Sequence, residues 1–181
     1  MKKTLKKRLP LPPIWLRILI ISLLILGIFL RFANLEKRAY WHDETYTLLR
    51  TSGYRVPEVT QKIFNGDVIR AKDLKQFQSI NSEKTLVGTM DGLVKEDQHH
   101  PPIYYVITRF WTQLFGDSVT INRILPVLIS LLVLPLIYWL CLELFQSHLT
   151  ALLAVGLTAV SPFHIHYAQE IREYSLWGVT T

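Results

Sequence analysis

Apolar residues in this chain fall into long blocks. Residues 18–30 carry no charge, and Ile14-Trp15-Leu16 extends the run across Arg17. A helix over 14–32 would be about 28 Å long, enough for a hydrocarbon core of about 30 Å with Arg17 and Arg31 snorkelling. A cleaved signal peptide is the rival reading, because the flank is basic and the uncharged run short. The following Leu30-Arg31-Phe32-Ala33-Asn34 offers no small-residue cleavage site, so an uncleaved span is expected. The second block, 124–142, is 19 uncharged residues and predicts a span over 123–142, with Pro126 in its first turn and a kink at Pro135. The third uncharged stretch runs from 146 to 169. Its apolar centre at 149–160 predicts a span over 149–165.

Between the first two spans lie about ninety residues of mixed charge. Within them, Ile103, Val106, Ile107, Phe110, Trp111, Leu114 and Phe115 repeat at helical spacing, with Tyr105, Thr108, Arg109 and Thr112 on the opposite face. A helix over 102–116 would reach only about 22 Å, with Arg109 in its middle. An amphipathic helix at the membrane interface is expected there. The chain then reads as an all-α polytopic membrane protein with about three transmembrane helices and a long outer loop, 33–122. A segment 166–181 follows on the outer face, and Leu176-Trp177-Gly178-Val179 resembles the start of a fourth span.

Composition narrows the class. Half of the residues are hydrophobic and the mean hydropathy is +0.23, which excludes a disordered chain and disfavours an ordinary soluble domain. The lone Cys141 excludes a disulfide framework and a cysteine-rich metal site. The net charge of +6 resembles a nucleic-acid signal until it is placed. Lys2, Lys3, Lys6, Lys7, Arg8 and Arg17 account for all of it, leaving 14 basic against 14 acidic residues. The excess is a basic tail over 1–13 and the start of the first span. No nucleic-acid partner is expected, and the positive-inside rule places the N-terminus in the cytoplasm.

Three polar clusters then fall on the outer face. Tyr40-Trp41-His42-Asp43-Glu44 follows the first span. Asp43 suits an N-cap for a helix starting near Thr45, a proton acceptor or a cation ligand. Neighbours on a helix point about 100° apart, so Asp43 and Glu44 are not expected to share one task. Asp97-Gln98-His99-His100-Pro101-Pro102 opens the amphipathic helix; its histidines suit metal ligation, phosphate contact or a solvated loop. In the third cluster, a helix over 168–177 would set Gln169, Arg172 and Glu173 on one face. His166, Glu170 and Tyr174 would stack on another. Arg172 pairing with Glu170 or Glu173 is the plain structural reading. Arg123, at the outer start of the second span, suits an interface anchor or a phosphate donor.

These pieces, in this order, resemble the N-terminal part of the membrane glycosyltransferases of the GT-C superfamily, in particular family 39 and its near relatives. The resemblance rests on "YWHDE", "HHPPIYYVITRFWTQLFG", "INRILPVLISLLVLPLIYWL" and "SPFHIHYAQEIREYSLWGV", and leaves out residues 52–96. It implies transfer of a sugar from a polyprenyl-phosphate donor to a lipid, glycan or protein acceptor on the extracytoplasmic face, in an integral protein of the bacterial plasma membrane. It further implies Asp43, with Glu44, as the catalytic acidic position. His99, His100, Arg123 and Arg172 would serve the donor phosphate, supported by His42, Gln169, Glu170 and Tyr174. Cofactor use is unknown, and a divalent metal, if used, would have Asp43, His99 and His100 as its candidate ligands.

Such enzymes are several hundred residues long, so the expectation is a fragment, a truncated product or half of a split enzyme, with a second chain supplying further helices. A non-catalytic remnant or subunit is the alternative. A transporter would need charges inside the second and third spans, where only Glu143 comes near an end.

Overall fold

The computed structural model describes residues 11–181. Most of the basic tail expected over 1–13 lies outside the described residues. The helices in chain order are α1 (Ile14–Phe32), α2 (His42–Thr51), α3 (Val56–Ile63), α4 (Ala71–Lys75), α5 (Leu86–Glu96), α6 (Pro102–Phe115), α7 (Val119–Phe145), α8 (His148–Val160), α9 (Pro162–Ala168) and α10 (Tyr174–Thr180). A 3-10 turn at Gln76–Gln78 follows α4. No strand occurs among the described residues. The protein is an all-α polytopic membrane protein, with α1 and α7 each long and apolar enough to cross a bilayer.

Helix α7 outruns the uncharged block at both ends. Ser118 caps it, its Oγ accepting the Ile121 N–H at 3.2 Å. Pro126 therefore sits well inside the helix, and the first turns carry Asn122 and Arg123 into the helical layer formed by residues 33–122, where both are buried. The third apolar stretch is not one straight helix. Pro162 has no N–H, and the residue before a proline is pushed out of the helical region. Ser161 sits at φ −61°, ψ 121°, and α8 and α9 diverge there by 57°.

Small residues let α1 and α8 touch along their backbones. A Cβ on Gly27 would collide with the Ala159 carbonyl, and one on Gly156 would come within 2.7 Å of Ile20. Arg31 does not snorkel. It is 1% exposed and donates from Nη1 to the carbonyls of Gly27 (3.0 Å) and Ala159 (2.5 Å). A cation at the C-terminus of α8 meets carbonyls that lack helical partners, which favours it over a route to water.

Residues 33–122 form a folded helical layer. Leu49, Tyr54 and Phe77 make one core, packed by Tyr46, Val56, Val59 and Ile63. Leu93, Tyr104 and Tyr105 make a second, which reaches Ile129 of α7 and Leu176 of α10. Helix α6 buries its polar face. Arg109 is 2% exposed and donates to the Thr51 carbonyl at 2.8 Å and the Lys84 carbonyl at 2.5 Å, while Ile103, Phe110 and Leu114 are exposed. Its uncovered side is thus the apolar one.

A continuous helix over 168–177 does not form. α9 ends at Ala168 and α10 begins at Tyr174. Between them the Ile171 N–H leaves the helical ladder to donate to Glu44 at 3.1 Å. Residues 169–173 become a buried strap joining α1, α2 and α6.

Candidate functional site

The site is assembled where the strap crosses the start of α2. Trp41 is the N-cap, and Asp43 and Glu44 lie in the first turn, where the helix dipole favours carboxylates. Asp43 is therefore not the cap. Glu44 accepts the Trp41 N–H at 3.3 Å, as a residue three places into a helix can.

The two acids part company at once. Glu44 is 1% exposed. Its Oε1 accepts from Arg123 Nε at 2.9 Å, and its Oε2 from Nη2 at 2.7 Å. The remaining Arg123 donors go to the carbonyls of Leu35 (2.5 Å), Arg38 (2.9 Å) and Ala39 (3.3 Å). Every nitrogen of that guanidinium is occupied within the protein, so this geometry makes it a brace. The Tyr40 ring lies 5.0 Å from it. Burial, followed by the Glu44 charge, pushes the Tyr40 phenol up to about 12.

Asp43 faces elsewhere. About a third of its side chain is exposed, and its nearest cation is Arg172 Nη2 at 3.8 Å. Arg172 is itself buried. Its Nη1 donates to Thr47 Oγ1 at 3.3 Å, Nη2 lies 3.4 Å from His100 Nε2, and Nε lies 3.7 Å from Glu173 Oε2. Burial lowers the Arg172 pKa, and the charges of Glu173, Tyr105 and Asp43 outweigh that, so it ends above its ordinary value. Glu173 is fully buried and meets His100 Nδ1 at 2.5 Å. Burial raises the Tyr105 phenol beside them, so it stays neutral.

The supporting residues separate by task. Gln169 donates to the carbonyls of Leu30 (2.8 Å), Arg31 (3.2 Å) and Ala33 (3.1 Å), tying the strap to the end of α1. Glu170 meets His166 at 3.0 Å and Arg38 at 3.7 Å. These residues, with Trp41, border a cavity of about 210 Å³ on the Arg123 side. His42 packs on Tyr46 at 4.6 Å. Tyr174 lies 5.8 Å from the Arg172 guanidinium and lines a larger, mostly apolar cavity of about 390 Å³ with Phe163, Tyr167 and Trp177.

Asp43, His99 and His100 do not converge as one metal-ligand set. The donors that approach within 4.8 Å of one another are those of Asp97, His99 and His100. Asp97 is paired with Arg50 at 2.5 Å, and His100 has Glu173 on one nitrogen and Arg172 facing the other. Two guanidiniums beside the donors oppose a divalent cation. No step is assigned to a metal.

Glu173, Thr47, Tyr105 and Arg38 join the site without having been expected there, Tyr105 having been placed only on the polar face of the 102–116 helix. Only Glu173 had a signal, the concentration of charge in "AQEIREYS".

Residues 99–173 match the family described as dolichyl-phosphate-mannose-protein mannosyltransferase. Over that stretch the chain is similar to GT-C-type glycosyltransferases. The matched stretch runs from the His99–His100 pair to Glu173, taking in α6, α7, α8, α9 and the strap. It includes Arg123 and Arg172 but not Asp43. No curated protein and no solved structure matches the chain. The family match and the apolar helices together support a GT-C-type membrane glycosyltransferase in general.

Proposed function

We propose that the chain carries a catalytic face of a glycosyltransferase that moves a sugar from a polyprenyl-phosphate donor to a hydroxyl of a lipid, glycan or protein. In this reading the N-terminus is cytoplasmic, residues 33–122 are extracytoplasmic, and the membrane is a bacterial plasma membrane. One observation carries the assignment. Of two adjacent acids, Glu44 is locked to Arg123, whereas Asp43 stays partly open with Arg172 at 3.8 Å.

The chemistry needs that pair. A hydroxyl is a weak nucleophile, so a carboxylate must take its proton as its oxygen bonds to the anomeric carbon. The bond from that carbon to the phosphate oxygen breaks, and the phosphate leaves with the electron pair. A fixed cation must meet the charge that develops there. Asp43 takes the proton and Arg172 faces the phosphate. The cavity of about 390 Å³ beside Tyr174 gives the lipid portion of the donor an apolar surface next to the same arginine.

The test is sugar transfer from a labelled polyprenyl-phosphate donor in membranes, with expression matched. Asp43→Asn keeps the shape and the helix start but takes no proton. General-base help is worth about 10²–10⁴-fold, so loss of that order is expected. A variant retaining more than about a tenth of the wild-type rate, above the general-base range, would remove Asp43 as the base and favour a non-catalytic scaffold.

A further inference from the structure

We infer that Glu173 is a positioning residue that fixes Arg172 beside Asp43 through the imidazole of His100. This rests on the transferase reading, in which Arg172 meets the donor phosphate. It adds the device that holds that arginine in place.

The hydrogen-bond roles are determined from both ends. Glu173 is wholly buried, and its Oε1 lies 2.5 Å from His100 Nδ1. A carboxylate only accepts, so Nδ1 carries the proton and Nε2 keeps its lone pair. Across the ring, Nε2 faces Arg172 Nη2 at 3.4 Å, and a guanidinium only donates. One neutral tautomer satisfies both contacts. A proton on Nε2 would set donor against donor.

The direct alternative is too long. Glu173 Oε2 stands 3.7 Å from Arg172 Nε, beyond hydrogen-bond reach. The two charges attract each other at that distance, and the imidazole adds the hydrogen-bonded link that they do not make directly. Its own place is fixed by the His100 N–H donating to the Asp97 carbonyl at 3.1 Å, and by packing on His99 at 4.1 Å. Thr47 and Tyr174 hold the guanidinium from two other directions. Arg172 is thereby kept where Asp43 is its nearest exposed charge, and a donor phosphate entering there meets a cation that need not reorganise.

The ring nitrogens report the relay directly. In the full chain labelled with ¹⁵N-histidine and held in detergent, His100, assigned by its loss in His100→Asn, is expected to be protonated at Nδ1 and bare at Nε2. Glu173→Ala should abolish that pattern. A wild-type His100 protonated at Nε2 would overturn the relay, as would a pattern unchanged in Glu173→Ala. The wild-type measurement needs no variant, so it stands even if a substituted chain does not fold.

Transfer kinetics give the second readout. Glu173→Gln, which preserves volume and removes charge, is expected to raise the donor KM about tenfold, the worth of one weakened charge-assisted contact, with a smaller fall in kcat. Arg172→Lys should show the same pattern, whereas Asp43→Asn lowers kcat. An unchanged donor KM in Glu173→Gln would end the positioning role. If Asp43→Asn keeps its rate, the assignment of the base falls, and the nitrogen pattern of His100 still decides the relay.

Discussion

Glu44 and Arg123 meet in a two-point ion pair, at 2.9 and 2.7 Å, with both side chains almost fully buried. The pair joins the start of α2 to the N-terminal end of α7, and the strap closes over it through the Ile171 N–H. A buried carboxylate facing a guanidinium in this fork geometry is stable because every lone pair and proton has a partner.

Breaking one side of that brace is therefore expected to cost more than removing both. Arg123→Ala leaves Glu44 buried without a counter-charge, a loss of about 3–5 kcal/mol. Glu44→Gln leaves the arginine in the same position. The double variant Glu44→Gln/Arg123→Met should lose less than the two single losses combined, because neither charge is then stranded. Thermal denaturation in detergent measures all three. Additive losses would show that the two residues act independently.

Helices α1 and α8 meet at Gly27, where an added Cβ would strike the Ala159 carbonyl. Gly27→Val is expected to force the helices apart, at about 1–3 kcal/mol for an overpacked contact. It should also loosen Arg31, whose donors reach Gly27, Ala159 and Thr158. The neighbouring Ile28 is 40% exposed, so Ile28→Val should be nearly silent. Equal stability of the two variants, measured by the same denaturation, would contradict the close contact.

The uncharged blocks made α1 and α7 legible, because continuous apolarity at bilayer length has few other uses. The end of α8 was not legible: the apolar stretch reads as a span over 149–165, whereas the helix stops at Val160 and bends by 57° at Pro162. The strap was illegible. The spacing of Gln169, Arg172 and Glu173 suits a helix face, and what breaks that helix is a long-range bond from Ile171 to Glu44, which local periodicity cannot register. Arg31 and Arg109 misled for a related reason. Flanking sequence suggests water for both, whereas carbonyls from distant elements receive them. The division between Asp43 and Glu44 was legible in part, since helical geometry sends neighbours in different directions. Which of them meets Arg123 depended on the fold.

Glu170 supplies a pH test. Burial raises its pKa above the ordinary 4.5, against the pull of His166 and Arg38. The folded state thus prefers the protonated acid, so Glu170's own contribution to stability is fully present below about 4.5 and is lost as pH rises through its higher folded value. Glu170→Gln removes the titrating group and should flatten that decline without destabilising the protein at neutral pH. Denaturation midpoints across the acid range would show it. A Gln variant whose midpoint declines as steeply as the wild type would assign the effect to another group.

The last prediction concerns the side of the membrane on which the site lies. Lys37 is exposed beyond the end of α1, near the elements that carry Asp43. Cys141 is the only thiol in the sequence and lies near the far end of α7. The six basic residues at positions 1–17 favour a cytoplasmic N-terminus, so Lys37 is expected outside and Cys141 near the inner surface. With Cys141→Ser as background, Lys37→Cys should react with a membrane-impermeant maleimide in intact cells as fully as after lysis. In the wild-type background, Cys141 should stay unlabelled until the cells are opened. Labelling of Lys37→Cys only after lysis would invert the topology and place Asp43 and Arg172 on the cytoplasmic face, where an extracytoplasmic acceptor could not reach them.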